Sequence, residues 1–256
     1  MSSELHVVRV GVGPPIVLIH GSAADHATWS IQLGSAARER FTLVAYDRRR
    51  GALPVEHHAD DAAAVADAPC VVVGSSFGAV IALDAIRRHP RAFVAAVLIE
   101  PPMPASDRAG DAARAIELLD AYDRRIAEHG GPAAAELFLR TVLGDPGFDR
   151  MPRAYRDRAT AKWAEIRDDS AALIGYLPRY HELLSVDVPV LLLGGGRSAA
   201  YFRPTLDALH AALPRARLEI VAAAGHMLHA EAHRRFGELL TEFATAAFAE
   251  PGLVQC

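Results

Sequence analysis

The sequence predicts a doubly wound, mostly parallel α/β sheet, interrupted once by an all-helical insertion. Three observations lead there. Short apolar runs recur up to Ile99 and again from Val188, and helical segments separate them. Several of these runs stop at a loop carrying reactive or glycine residues, as at His20-Gly21, Asp47-Arg48, Gly74-Ser75-Ser76 and Gly225-His226. Between about Met103 and Ser185 helical periodicity continues with no strand pattern. Strands alternating with helices bury a parallel sheet between two helical layers, joined by right-handed crossovers. One crossover needs only about a dozen residues, so the insertion reads as a cap over the sheet edge. The expected division is a core of 1–102 and 186–256 and a helical cap of 103–185.

The elements follow in order. Leu5 to Val10 reads as a first strand, and Gly11 to Pro15 as a turn. Ile16-Val17-Leu18-Ile19 is apolar throughout, as a strand buried on both faces must be. A helix is expected over Ala27 to Glu39, a strand over Phe41 to Tyr46, and a helix around His58 to Ala66. The strand at Val71 leads into a helix bearing Val80, Ile81, Leu83, Ala85 and Ile86, and Phe93 to Ile99 is the next strand. In the insertion, Ala115, Leu118, Leu119, Tyr122 and Ile126 form one stripe, and Leu137, Phe138 and Val142 a second. Tyr155, Ala159, Trp163 and Ile166 form a third, and Leu173, Ile174, Leu177 and Leu184 a fourth. The sheet resumes at Val188 to Leu193 and ends at Leu218 to Val221, with helices at Tyr201 to Leu213 and Ala230 to Phe248.

Composition narrows the function classes. A net charge of −4 with no long basic run argues against nucleic acid. Arginine carries nearly all the positive charge, since Lys162 is the only lysine. No apolar run reaches the ~18 residues of a membrane span, and the N-terminus lacks a basic stretch leading into an apolar one. Cys70 and Cys256 are the only cysteines and are poorly placed to pair, which allows a reducing compartment. The expectation is a cytoplasmic protein without membrane or nucleic-acid partners, acting on a small molecule, with a homodimer allowed.

The chemistry gathers at Gly74-x-Ser76-x-Gly78, between a β-branched run and a helix. A turn this tight raises a side chain above the sheet edge and brings backbone segments together, which glycine permits. Ser76 then stands at the tip. The N–H groups of Phe77 and Gly78 open a helix, where donors are free and the dipole favours negative charge. A five-residue pattern with three fixed positions also arises by chance, so its weight comes from the strand before and the helix after.

Taken in order, His20-Gly21 after a buried strand, Asp47-Arg48-Arg49 after the next, the Ser76 elbow and Gly225-His226 after the last make the chain resemble the α/β-hydrolase family over nearly its whole length. The resemblance implies Ser76 as nucleophile, His226 as base, and an oxyanion hole from the Phe77 N–H and an N–H at Ser22 or Ala23. Asp47 would be structural, and His20 would hold the oxyanion loop. The chain departs from the commoner family pattern at the acid. The turn that usually carries an aspartate reads Gly194-Gly195-Gly196-Arg197-Ser198, and the next carboxylate, Asp207, lies well into a helix. Glu100 ends the strand after the elbow helix, at the C-terminal sheet edge where such sites gather. Some family members place the acid there, including lactonases similar to the zearalenone-hydrolysing enzymes. Glu100 is therefore the expected acid. Its bland alternative is a loop-anchoring carboxylate beside Pro101 and Pro102.

Neither His226-x-x-His229-x-x-x-His233 nor His57-His58 with Asp60-Asp61 matches a metal spacing, so no metal and no cofactor is expected. His229 competes with His226 for the base role. Trp163, Tyr176, Trp29 and Tyr201 are candidate pocket linings, although such aromatics are more often core. The expected activity is hydrolysis of a carboxylic ester or lactone through an acyl-enzyme. The alternatives are C–C bond hydrolysis, acyl transfer, or a non-hydrolytic cyclase or ligand-binding role.

Overall fold

The computed structural model describes residues 5–106, 109–176 and 180–250. Leu177 of the fourth stripe and Cys256 lie outside them. Seven strands form one sheet in the order β1-β3-β2-β4-β5-β6-β7. They are β1 (Val7–Gly11), β2 (Pro15–Ile19), β3 (Thr42–Tyr46), β4 (Cys70–Ser75), β5 (Phe93–Ile99), β6 (Val190–Gly195) and β7 (Ala216–Val221). All pairings are parallel except β1 with β3, whose register runs from Val7 opposite Tyr46 to Gly11 opposite Thr42.

The two-residue period of a strand explains why the central runs are apolar throughout. Val72 of β4 and Ala96 and Leu98 of β5 face one layer, with α2 (Val55–Val65), α3 (Phe77–Arg88) and α9 (Phe202–Ala212). Val71, Val73, Ala95, Val97 and Ile99 face the other, where Trp29 and α11 (His233–Ala249) pack. Neither face of β4 or β5 meets solvent, and no described residue of either strand is exposed.

The helix expected over Ala27 to Glu39 is broken. A 3-10 turn at His26–Trp29, a short α1 (Ser30–Leu33) and a second 3-10 turn at Ala36–Glu39 replace it. Gly34 lacks helix propensity, and Ser35 accepts the Ala37 N–H, which starts a new turn instead of continuing the old one. The closing helix also divides, with α10 (Leu228–Glu231) preceding α11.

Between β5 and β6 the described residues are helical. They form α4 (Ala109–His129), α5 (Gly131–Leu143), α6 (Asp145–Arg150), α7 (Arg153–Ala161), α8 (Trp163–Gly175) and a 3-10 turn at Tyr180–Ser185. This insertion has its own small core of Ala135, Leu139, Phe148, Ala159 and Ile166, which also takes in Ala23 from the loop after β2. Leu118 and Leu137, expected in helical stripes, are exposed. Among the described residues no helix is long and apolar enough to cross a membrane.

The strand order positions the site. The chain leaves β2 toward β3 on one side and β4 toward β5 on the other, so a crevice opens beyond their carboxyl ends. The loops carrying His20 to Asp25 and Ser76 meet there.

Candidate active site

β4 ends at Ser75 and α3 begins at Phe77, leaving Ser76 alone in the turn with φ 55° and ψ −124°. The positive φ falls on the serine and on neither glycine of the motif. The glycines instead permit close approach. A Cβ on Gly74 would meet the Gly78 backbone and lie 2.6 Å from Ala79 Cα, and one on Gly78 would meet the Ile19 carbonyl and lie 2.7 Å from the His20 oxygen. The turn is clamped at both ends: the Ser76 N–H donates to the Ile99 carbonyl at 2.8 Å, and the Ala79 N–H donates to the Ser76 carbonyl at 2.8 Å. As the first residue of α3, Phe77 has an N–H with no intrahelical acceptor.

The bond to Ile99 brings the neighbouring strand end alongside. Glu100 follows Ile99, is buried, and adopts φ 44°. Its Oε2 lies 2.6 Å from His226 Nδ1, and its Oε1 accepts the Gly195 N–H at 2.7 Å. Its own N–H donates to the Leu193 carbonyl at 3.1 Å. The turn after β6 carries no carboxylate, yet the N–H of Gly195, the last residue of β6, holds the carboxylate that follows β5. With Nδ1 facing Glu100, the imidazole carries its proton there, and Nε2 is left as an acceptor. The Phe202 ring stacks on His226 at 4.4 Å and 12°, fixing the imidazole plane.

Among the described residues Ala23, Ser76 and Glu100 are the non-glycines with positive φ. Each stands in a loop at the same sheet edge. A left-handed non-glycine costs on the order of 1 kcal/mol or more and persists only where its surroundings over-determine it. Such strain clusters at functional sites; the tight Gly74-x-Ser76-x-Gly78 turn signals it at Ser76, and no sequence signal announces it at Ala23 or Glu100.

Around Ser22 and Ala23 the structure adds residues that sequence reasoning missed. Ser22 Oγ donates to Asp169 Oδ2 at 2.7 Å. Asp169, on α8, receives Arg48 on both oxygens, at 2.9 and 2.7 Å. Arg48 also donates to the Gly21 carbonyl at 3.2 Å and lies over the Phe77 ring. His20 accepts the Arg48 N–H on Nε2 at 3.2 Å, and its Nδ1 lies 2.8 Å from the Gly21 carbonyl, which it contacts as donor. Burial, and then the Arg48 charge, hold its pKa well below the usual histidine value, so it is a neutral structural group. Asp47 accepts the His26 N–H and ring nitrogen, at 2.9 and 2.8 Å, and so pins the start of the first 3-10 turn.

His229, the competing base, is fully buried with Nε2 3.3 Å from Thr28 Oγ1 and its ring against Trp29. Burial, and then His226, push its pKa down to about 3, so it stays neutral behind the site. Of the four aromatic candidates, three are taken up in packing. Trp29 packs on His229 and Phe236 in the core and shows no exposed surface. Tyr176 is buried in the opposite layer with its hydroxyl on Asp84 at 3.2 Å. Trp163 fills the space above Gly131 and so pins α8 to α5. Each large ring is consumed by packing between elements. Tyr201 stays half exposed beside Phe202, its hydroxyl pushed up to about 12 by burial and then by Glu100.

A cleft of about 470 Å³ opens between the first 3-10 turn and the insertion. Its apolar wall includes Ala23, Ala27, Ile31, Met151, Tyr155 and Met227. A smaller cleft of about 150 Å³ lies against Arg48, Arg49, Asp168 and Lys162. None of the four aromatic candidates lines either cleft. Among the described residues the group with metal-like geometry is His6, His26 and Asp47, whose ligand atoms lie within 4.8 Å of one another. His26 and Asp47 are already bonded to each other, and none of the three belongs to the Ser76 group.

The model of the alpha/beta hydrolase family matches residues 16–239. A Bacillus subtilis (strain 168) protein, whose assignment as a 2-succinyl-6-hydroxy-2,4-cyclohexadiene-1-carboxylate synthase is itself provisional, is 26% identical over 68% of this chain. That match spans 65% of the relative's length, just under two thirds. Carboxylesterase YbfK of the same organism is 25% identical over 89% of this chain and 80% of its own. Among solved structures, the enol-lactonase from Burkholderia xenovorans LB400 superposes with a TM-score of 0.78 at 21% identity, covering 94% of this chain and 96% of that one.

Proposed function

The chain belongs to the alpha/beta hydrolase family, and on that premise we propose that it cleaves a carboxylic ester or lactone of a small apolar substrate through an acyl-enzyme on Ser76. The observation that carries this reading is the buried chain from the Gly195 N–H through Glu100 to His226. A serine hydroxyl is a weak nucleophile until an imidazole takes its proton, and the imidazole needs a fixed carboxylate to hold its tautomer.

In this mechanism Ser76 Oγ attacks the carbonyl carbon while His226 Nε2 accepts the hydroxyl proton. The resulting imidazolium keeps its Nδ1 proton on Glu100, whose negative charge stabilises it. The Phe77 N–H and an N–H at Ser22 or Ala23 donate to the oxyanion, each worth on the order of 3 kcal/mol in the transition state. Collapse of the tetrahedral adduct breaks the C–O bond, and His226 protonates the departing alkoxide. Water, deprotonated in turn by His226, attacks the acyl-serine and frees the acid. The insertion serves as a cap, and the apolar cleft beneath it, reaching Ala23 and Met227, takes the hydrocarbon part of the substrate. Its arginines Arg150 and Arg158 lie 3.9 Å from Glu231 and Asp25, which favours a neutral occupant.

A p-nitrophenyl ester series from acetyl to decanoyl tests the reading. Hydrolysis that favours medium chains and falls at least about a thousandfold in Ser76→Ala supports it. Rates equal to background across the series, and with simple lactones, would remove it. The synthase relative motivates a second reading, in which the same site forms a cyclohexadiene carboxylate instead of cleaving an ester. Formation of such a product by a protein that hydrolyses none of the esters or lactones would favour that one.

A further inference from the structure

We propose that the helical insertion is the scaffold that sets the oxyanion loop, with Asp169 as its positioning residue; this rests on the reading given under Proposed function. Every residue from Gly21 to Asp25 is held, and four of the five ties come from the insertion. The exception is the Gly21 carbonyl, which takes Arg48, itself clamped by Asp169 of α8. Ser22 Oγ donates to the same Asp169 carboxylate. The Ala23 side chain sits in the insertion's own apolar cluster, beside Ala135, Leu139 and Ile166. Lys162, the only lysine in the chain, donates to the Ala24 carbonyl at 2.8 Å and lies 3.3 Å from Asp25.

The loop needs such a hold. Ala23 has φ 57°, a conformation an alanine leaves unless its neighbours prevent it. If the loop relaxed, the N–H groups of Ser22 and Ala23 would turn away from the oxyanion. Asp169 and Arg48 are both nearly excluded from solvent, with side-chain exposures of 8% and 5%. A buried ion pair of this kind is a poor source of net stability, because desolvation offsets much of the attraction. Its geometry, two oxygens sharing one guanidinium and one loop hydroxyl, is better suited to fixing position. Asp169 touches neither Ser76 nor His226 in any described hydrogen bond, so its effect passes through Ser22 and Arg48.

The test compares the full-length wild type with Asp169→Asn and Ser22→Ala on the favoured p-nitrophenyl ester, well below the melting temperature of each. Asparagine keeps the volume and loses the charge and one acceptor. The expected result is a kcat about 10- to 100-fold lower in Asp169→Asn with KM within about threefold, since a displaced donor acts only in the transition state. An alkylboronic acid, which forms a tetrahedral adduct on a serine nucleophile, should bind more weakly by a similar factor. The product carboxylate should bind as before. Ser22→Ala leaves the Arg48 pair intact and covers the case in which Asp169→Asn fails to fold; it should lower kcat several-fold with an unchanged melting temperature. Variants that melt earlier yet keep wild-type kcat and boronate affinity would overturn the scaffold role while leaving the hydrolase reading intact. A wild type without esterase or lactonase activity would overturn both.

Discussion

The Glu100 carboxylate is shared between His226 Nδ1 at 2.6 Å and the Gly195 N–H at 2.7 Å, so one oxygen orients the imidazole while the other is fixed by backbone. Replacement by glutamine keeps the shape and reverses the chemistry. The Gly195 N–H requires an acceptor, so the amide oxygen turns to it and the amide NH2 faces His226. That forces the proton onto Nε2, the tautomer that cannot take the Ser76 proton. Glu100→Gln should lower kcat by about a thousandfold or more. Asp207→Asn should stay near wild type, because Asp207 is exposed on α9 and pairs with Arg203. Steady-state kinetics of the two variants decides it, and equal activities would exclude Glu100 as the orienting acid.

Gly74→Ala should destabilise the fold. Its Cβ would enter the Gly78 backbone and stand 2.6 Å from Ala79 Cα, where no side chain can swing aside. Overpacking of this kind costs about 1–3 kcal/mol or more. Urea unfolding followed by circular dichroism should show a lower midpoint or no soluble protein.

Acid should unfold the protein through its buried histidines. Burial depresses the His229 pKa to about 3 and that of His58 to about 4, both below the ordinary unfolded value of 6.5. Below pH 6.5 the unfolded chain binds protons that the folded chain refuses, so stability falls as pH falls. Each such histidine contributes about 1.4 kcal/mol per pH unit until its folded pKa is reached. Unfolding free energies measured from pH 7.5 to 4.5 should decline accordingly, and the slope should be shallower in His229→Gln. A flat profile below pH 6.5 would show that these rings are not held neutral.

Ile31 lines the apolar cleft and is partly exposed, so a larger side chain there fills space without entering the core. Ile31→Trp should lower kcat/KM for an octanoyl ester about tenfold and leave the acetyl ester within about threefold, as a few methylenes of lost contact imply. A parallel drop for both esters would mean that acyl chains bind elsewhere.

The sheet was legible because its buried strands are continuous apolar runs, a pattern that few other elements share. The helix at Ala27 to Glu39 was not, since α-spacing carried across Gly34 and Ser35 without revealing the break. Ser76 and Glu100 could be singled out as candidates because each directly follows a strand, and His226 because it lies in the loop after the last one; topology brings those ends together. Asp169 could not. In the run Arg167-Asp168-Asp169 it reads as part of a solvated charged face, and its partner Arg48 lies far away in the chain. Gly195 was read as part of a vacant turn, because a backbone N–H leaves no mark in residue type. Whether Trp29 and Tyr176 face core or cleft was illegible for a related reason: an aromatic identity states size but not direction.

A fluorophosphonate probe read by intact and peptide mass spectrometry asks whether Ser76 is a nucleophile activated by His226 and Glu100. One adduct per chain is expected, on Ser76, absent in Ser76→Ala and much slower to form in His226→Gln. No adduct under conditions that label a reference serine hydrolase, or an adduct that persists in Ser76→Ala, would contradict it.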